Sequence, residues 1–569
     1  MKDGFKARTR IIYFMIFLTG IIMTTRLFFL QVVNNEQYKN EANKQHFSPA
    51  AKNFDRGSIF FTEKSGRVIS AAVVKNAYQI YMNPKVLEDS EDAYVKLSKI
   101  VSVNKTDFMA KAAKKNNTYK IIMHKVDKDK ALAVDALNIK GLEIKSESWR
   151  YYPAGKLASH VLGFVGYKGD SLVGRYGLEL AYEKKLKRDL DKKPVNSFAE
   201  IFYGIKKIVA GGLENADITL TLEPTAQSML EKKLEEILEK YKGKMSGGII
   251  MEPSTGKIVA MAAKPDFDPN FYSKEENIGV FINPLVESVF EMGSIVKPLT
   301  MAAAIDGGGV RPDTMYTDNG FVKYGSAIIK NYDGKARGKV DMQEVLSSSL
   351  NTGAVFAMQS IGKEKFSEYI RNYGMGNRTG IELPNEVSGK ISNIIDNNRE
   401  LEYATASFGQ GIAITPMEMT VALASLANGG KIVKPYLVDK ITIDGFRDKK
   451  TQPEVIRQVI SKEASEDISR MLVKVVDDAL LGGKYKMENY TVAAKTGTAQ
   501  YMEAGSKNYA EEEYLHTFFG YAPAFEAKFI VFLFVAKPQG VLYASHTLTE
   551  PFMDITKFLL NYYEVPPDR

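Results

Sequence analysis

The chain has 569 residues, 45% hydrophobic and 25% charged, which is too long for one core and too apolar for wholesale disorder, so several folded units are expected. Its net charge of +8 is spread along the chain without basic blocks, which argues against a nucleic-acid tail and for no more than weak attraction to anionic surfaces. There is no cysteine, and the five histidines (His46, His124, His160, His516, His546) lack metal-ligand spacing, so disulfides, a metal and other cofactors are not expected.

Lys2, Lys6, Arg8 and Arg10 precede an almost continuous apolar run, Ile11 to Val33, long enough to span a bilayer with its basic side inside. A cleaved signal peptide would have a shorter apolar stretch and a nearby small-residue site, and Ala50-Ala51 is distant. The reading is a cytoplasmic tail over 1–10, a single transmembrane anchor over 11–33, and the rest of the chain outside. Residues 34–215 mix short strand-like runs with charged helices, and their islands Arg56-Gly57, Arg150 to Gly155 and Gly177-Leu178-Glu179 read as turn chemistry and packing. Asn104 to Lys130 and Glu183 to Lys193 read as solvated surface. A second unit, 216–569, opens with a strand at Ile218 to Leu222 and an amphipathic helix from Glu223-Pro224 to about Lys242. Strands follow at Gly247 to Met251 and Lys257 to Ala262, then a largely helical stretch to about residue 430. Further strands at Thr491 to Ala494, Thr517 to Ala522 and Lys528 to Val535 and a helix from Pro551 to Tyr562 close the unit, predicting helices packed on an antiparallel sheet built from both ends of the segment.

Within that unit, Glu291 to Thr300 fixes the position of a reactive group. Pro298 has no amide hydrogen and clashes with the preceding turn, so it is tolerated only in a first helical turn and the helix must begin close to Ser294. Leu299 to Ile305 are apolar helix formers, and Gly307-Gly308-Gly309 ends the run. Ser294 then sits at a helix N-terminus, where unpaired amides favour developing negative charge, and Lys297 lies on the same face. A serine hydroxyl needs a neighbouring base to become nucleophilic, and a desolvated lysine beside another cation can serve. The spacing alone is cheap, because Ser102, Ser254 and Ser360 also precede a lysine by three. Ser254 falls in a hairpin turn, Ser360 at a helix end before Gly362, and Ser102 in a charged region without supporting motifs, so only Ser294 opens a helix.

Two islands complete a constellation. Ser347 to Thr352 places the Ser349 hydroxyl and the Asn351 amide two residues apart on a helical segment. Lys495-Thr496-Gly497-Thr498 follows a strand-like run, with Lys495-Thr496-Gly497 itself on a strand and Gly497 read as a point where backbone approaches a ligand closely. Ser-x-Asn recurs at Ser102 and Ser506, so each motif alone is weak and the order of the three carries the signal.

In that order the motifs resemble those of the penicillin-recognising serine acyltransferases. The Arg56, Arg150 and Gly177 islands, the anchor, Phe267 to Asn270 and Ser407 to Pro416 are similar to class B penicillin-binding proteins, so the likeness covers nearly the whole chain. Three positions depart from the family: Phe60-Phe61-Thr62 replaces a usual aspartate, Met292 a common proline, and Lys187-Arg188-Asp189 the glycines usual there. None of the three is an active-site residue. The resemblance implies an α+β fold: a transmembrane helix, an elongated mixed pedestal or dimerisation-like domain over 34–215, and a serine transpeptidase domain over 216–569.

It also implies that Ser294 attacks the penultimate D-Ala carbonyl of a peptidoglycan stem peptide to form an acyl-enzyme. Lys297 would be the general base and Ser349 the relay to the leaving amine, with Asn351 fixing the donor backbone and Lys495 keeping Lys297 from protonating. Thr496 and Thr498 would bind the substrate carboxylate, beside Gly497, and the backbone amides of Ser294 and Thr498 would form the oxyanion hole. β-Lactams would be covalent inhibitors. The expected partners are a SEDS-family glycosyltransferase docked on the anchor and other divisome proteins of the plasma (inner) membrane. Lys495 to Gln500 and Ser407 to Pro416 favour the division branch over the elongation branch. A catalytically silent assembly or sensor protein would be expected to have lost one of these residues. A secreted β-lactamase would need no anchor, and a bifunctional enzyme would need paired carboxylates in a helical N-terminal domain.

Overall fold

A computed structural model describes residues 15, 17–20, 23, 54–169, 171–188, 216–395, 399–501 and 513–569. Most of the expected anchor and Ser506 lie outside these residues, and no helix among the described residues is long and apolar enough to cross a membrane. Contacts divide the chain into two compact units, one of 1–54 with 76–149 and one of 55–75 with 150–569.

In the smaller unit, helices Ser90–Ser98 and Lys105–Ala112 start at Asp89 and Asn104, whose side chains accept from the amides of Asp92 and Asp107. Ala93, Leu97, Phe108, Ala112, Val126, Ala131 and Val134 form its core with Ile80 and Met82. Asn104 to Lys130, expected as solvated surface, therefore supplies Phe108, Ala112 and Val126 to a core. Its helix spacing puts Phe108 and Ala112 on one face despite the many lysines.

The larger unit is organised on a five-stranded antiparallel sheet. Its strands are β1 (Met245–Met251), β2 (Ile258–Lys264), β3 (Ala493–Gln500), β4 (Tyr514–Ala522) and β5 (Phe529–Ala536), in the order β3-β4-β5-β1-β2. The two ends of the segment meet where β5 pairs with β1, Ile530 opposite Met251. Both faces are covered. Ile530, Phe532 and Phe534 join one core cluster while Phe529, Val531 and Leu533 join the other, so β5 is apolar throughout instead of alternating.

One face is covered by α1 (Pro224–Tyr241) and by a long C-terminal helix. In α1 the Glu223 carboxylate accepts from the Ala226 amide, and Ala226, Leu230, Leu234 and Ile237 form the buried stripe. Against the other face lies α2 (Lys297–Asp306), buried from Lys297 to Ala304 and ended at Gly307. Beside it run α3 (Asn351–Ile361) and α4 (Lys462–Lys474). This is the predicted helix-flanked antiparallel sheet, with three local differences. The stretch expected to be largely helical contains two hairpins, Met315–Asp318 with Gly338–Asp341 and Phe321–Tyr324 with Ala327–Lys330. Four-residue strands interrupted by Gly and Lys carry too short a period to read. β3 runs past the expected end at Ala494 and through the Lys-Thr-Gly motif, which the sequence also places on a strand. The last helix, α5 (Ala544–Tyr562), begins seven residues before Pro551, which is interior. The buried stripe Leu548, Phe552, Ile555 and Leu559 offsets the hydrogen bond that proline removes.

The three upstream islands converge in this unit. The buried Glu179 carboxylate accepts from Arg56 Nε at 2.5 Å, Arg150 Nε at 2.6 Å and the Tyr152 hydroxyl at 3.2 Å. Burial alone would raise the Glu179 carboxyl, but Arg150 and Arg56 hold it below its ordinary value. Phe61, at the usual aspartate position, is fully buried in strand Ile59–Thr62, and Arg188 pairs with Asp217 at 3.0 Å.

Candidate active site

The 3₁₀ turn Gly293–Val296 leads directly into α2, so Ser294 stands just before the helix and Pro298 falls in its first turn, as the sequence requires. Ser294 is half-buried and lines a cleft of about 1000 Å³ together with Ser349, Asn351, Lys495, Thr496 and Thr498. The alternative serines are elsewhere: Ser254 in the β1–β2 turn, Ser360 at the end of α3, and Ser102 in the smaller unit just before the helix capped by Asn104.

Three residues from three segments form a hydrogen-bonded ladder behind the nucleophile. Lys297 Nζ donates to the Ser349 carbonyl at 2.6 Å and to its Oγ at 3.2 Å. Lys495 Nζ donates to the same Oγ at 3.1 Å and to the Thr496 carbonyl at 3.2 Å. Ser349 has a left-handed backbone, φ 53°, which costs a non-glycine residue about 1 kcal/mol. Its carbonyl is held by Lys297, so the strain persists where the site needs it. Burial pushes the Lys297 amine well below the ordinary lysine value, and the charge of Lys495 pushes it further. Burial alone lowers Lys495 to about 8.

Asn351 opens α3 and donates its amide to the Lys330 carbonyl at 2.8 Å, tying the helix to the second hairpin. Thr496 and Thr498 alternate along β3 on the cleft side. At Gly497 the absent side chain also serves packing. A Cβ there would lie 2.3 Å from Thr517 Oγ1 and 2.7 Å from the Met292 carbonyl, so the missing side chain lets β3 pack against the turn that carries Ser294. Thr517 Oγ1 donates to that same Met292 carbonyl at 3.0 Å, clamping the turn to β4.

Sequence reasoning missed Thr517, and also Tyr332 and Tyr543, whose rings face each other edge-on at 5.8 Å and line the cleft. It missed the wall made by a π-helical turn, Val475–Ala479, which extends α4 and supplies Val475, Asp478 and Ala479. Nothing in a lone aromatic or a helix end marks such positions.

The model of the penicillin-binding protein transpeptidase domain matches residues 247–557, and that of the penicillin-binding protein dimerisation domain matches 52–196. Stage V sporulation protein D of Bacillus subtilis is 29% identical over 565 residues, covering 96% of this chain and 84% of that protein. A peptidoglycan D,D-transpeptidase FtsI homolog of Mesostigma viride is 26% identical, covering 99% of this chain and 96% of that protein. The crystal structure of penicillin-binding protein 2X from Streptococcus thermophilus superposes with a TM-score of 0.74 at 21% identity, covering 90% of this chain and 81% of that one, which is a likeness of fold. With the transpeptidase model spanning more than half of its length, and Ser294, Ser349 and Lys495 gathered in one cleft, this chain belongs to the penicillin-binding protein transpeptidase family.

Proposed function

We propose that the protein is a membrane-anchored peptidoglycan D,D-transpeptidase that cross-links stem peptides through an acyl-enzyme on Ser294. The observation that carries this reading is the Lys297–Ser349–Lys495 ladder beside Ser294. The neutral Lys297 amine takes the Ser294 proton as Oγ attacks the penultimate D-Ala carbonyl, and the backbone amides of Ser294 and Thr498 receive the developing oxyanion. Ser349, whose oxygen already accepts from Lys495 and Lys297, passes its proton to the departing D-Ala nitrogen and regains one from the Lys297 ammonium, which ends neutral. Asn351 holds the donor backbone, and Thr496 and Thr498 hold the terminal carboxylate. Water or an acceptor amine then releases the acyl group. β-Lactams stop at the acyl stage.

Residues 1–10 are assigned to a cytoplasmic tail, 11–33 to the anchor, 34–215 to the pedestal and 216–569 to the transpeptidase domain. Residues 52–196, matched by the dimerisation-domain model, support the pedestal assignment. The setting is septal wall synthesis, supported by the FtsI name of the Mesostigma relative, beside a SEDS-family glycosyltransferase that supplies the glycan. The name of the Bacillus relative favours a second setting, sporulation. Fluorescent penicillin should label the full-length protein on Ser294, and an adduct found on Ser254 or Ser360 would overturn the assignment. A tagged copy should concentrate at division septa and co-purify a SEDS protein. Confinement to sporulating cells would select the second setting, and uniform sidewall placement would select an elongation role.

A further inference from the structure

His516 lies on β4 directly opposite Thr498 on β3, so the two side chains share one face of the sheet. Both reach the same short segment, the entry to α5. His516 Nε2 lies 3.1 Å from the Leu542 carbonyl and Nδ1 lies 2.9 Å from Thr547 Oγ1. The Ala544 amide donates to Thr498 Oγ1 at 3.1 Å. A carbonyl only accepts, so Nε2 carries the proton when the ring is neutral, and Nδ1 shares the single Thr547 hydroxyl proton with the Ala544 carbonyl, which lies 3.1 Å from Thr547 Oγ1. The ring is fully buried, and burial lowers it to about 4, which keeps it neutral at ordinary pH. Nothing in the reaction uses this imidazole directly.

We infer that His516 is a positioning residue for carboxylate recognition: it anchors the Leu542–Ala544 segment so that the Ala544 amide occupies a lone pair of Thr498 Oγ1 and keeps that hydroxyl's proton free for the cleft. A threonine hydroxyl has one proton and three staggered orientations, and it can hold a carboxylate only when that proton points at the ligand. With the Ala544 amide in place, the proton cannot point along the direction from which the amide donates. Two orientations remain in place of three, so less rotational freedom is lost when the hydroxyl donates to an arriving carboxylate. This rests on the transpeptidase reading, in which Thr498 meets the substrate carboxylate.

The test compares acylation of full-length protein by a penicillin and by its carboxyl methyl ester. His516→Phe keeps the ring volume and loses both hydrogen bonds, whereas His516→Gln can donate to Leu542 and accept from Thr547. The Phe variant should lower the second-order rate with the acid by roughly tenfold, the scale of one lost hydrogen bond to a charged group, and leave the ester rate within about twofold. The Gln variant should recover most of the loss. Ala544→Pro deletes the one donor at the first helical position, where proline is tolerated and where the preceding Tyr543 is already extended. It should reproduce the selective loss even if the Phe variant folds poorly. Equal losses for acid and ester, or no loss in Ala544→Pro, would overturn the inference while the site assignment stands. Failure of the parent protein to acylate at all would overturn the transpeptidase reading, and this inference with it.

Discussion

On the proposed mechanism, Lys297 is the residue whose protonation decides whether the site works. Its amine is pushed down first by burial and then by Lys495, so it is a base when neutral, and acylation must fall as pH falls through its value. Lys495→Ala removes the second cause, so the Lys297 value rises and the acid limb of the acylation profile should move to higher pH. At neutral pH the rate should drop by tenfold or more, because less of the base is free and the Ser349 hydroxyl loses a donor. Stopped-flow acylation across pH checks this, and an unshifted acid limb would refute the electrostatic role. Ser294→Ala should abolish labelling while leaving the Tm within a few degrees, since a half-buried hydroxyl contributes little to stability. At this scale the site was legible because Pro298 allows only one helical register, which put Ser294 at the start of the helix. Thr517, Tyr332 and Tyr543 were not legible, because their roles come from segments meeting across more than 200 residues of sequence, as when Thr517 clamps Met292. His516 was not, because its partners Leu542 and Thr547 reach it only once the chain after β5 folds back on the sheet.

The elements are held together by close backbone approaches at the cleft. Gly497→Ala places a methyl group against Thr517 and the Met292 carbonyl, so β3 must move away from the Ser294 turn. The expected cost is about 1–3 kcal/mol of stability with a disproportionate, at least hundredfold, loss of acylation, since a displacement of about 1 Å is enough to misalign a nucleophile. Thermal melts and penicillin kinetics on the same preparation separate the two effects. A fall in stability with acylation intact would show that the glycine serves packing alone. Long elements such as α1, with its N-cap and apolar stripe, could be read from the chain within a residue or two. The hairpins between Met315 and Asp341 could not, because strands of four residues take their stability from α3 through contacts such as Asn351 to Lys330 and Thr352 to Asp318.

Across the whole molecule, buried charge and buried imidazole set the stability. Glu179 balances two guanidiniums, and Glu179→Gln would leave them uncompensated at a cost of about 3–5 kcal/mol, read as a lowered unfolding midpoint. A shift under 1 kcal/mol would mean that Glu183, which also pairs with Arg56, carries the balance. His160 and His516 are both lowered to about 4 by burial, against an ordinary value of 6.5. Between these values the unfolded chain binds protons that the native state refuses, so stability rises with pH there and is lost as pH falls from about 6.5 to 4. The loss is on the order of 3 kcal/mol per histidine. Denaturant titrations at pH 7 and pH 4.5 should show it, and His160→Asn should blunt it.

The position of β3 has a further consequence. It is the last strand of its sheet among the described residues, with β4 on one side and the cleft on the other. The main-chain groups of β3 that do not pair with β4 form a ready template for an incoming extended peptide, which can lie down as a sixth strand beside Ser294. Recognition of that kind reads the peptide's backbone direction and spacing and is largely indifferent to its side chains. On the proposed reading, selectivity then falls to the few groups at the strand's end that would meet a terminal carboxylate. A small rigid amide with an acid at the right distance can therefore imitate a much longer chain.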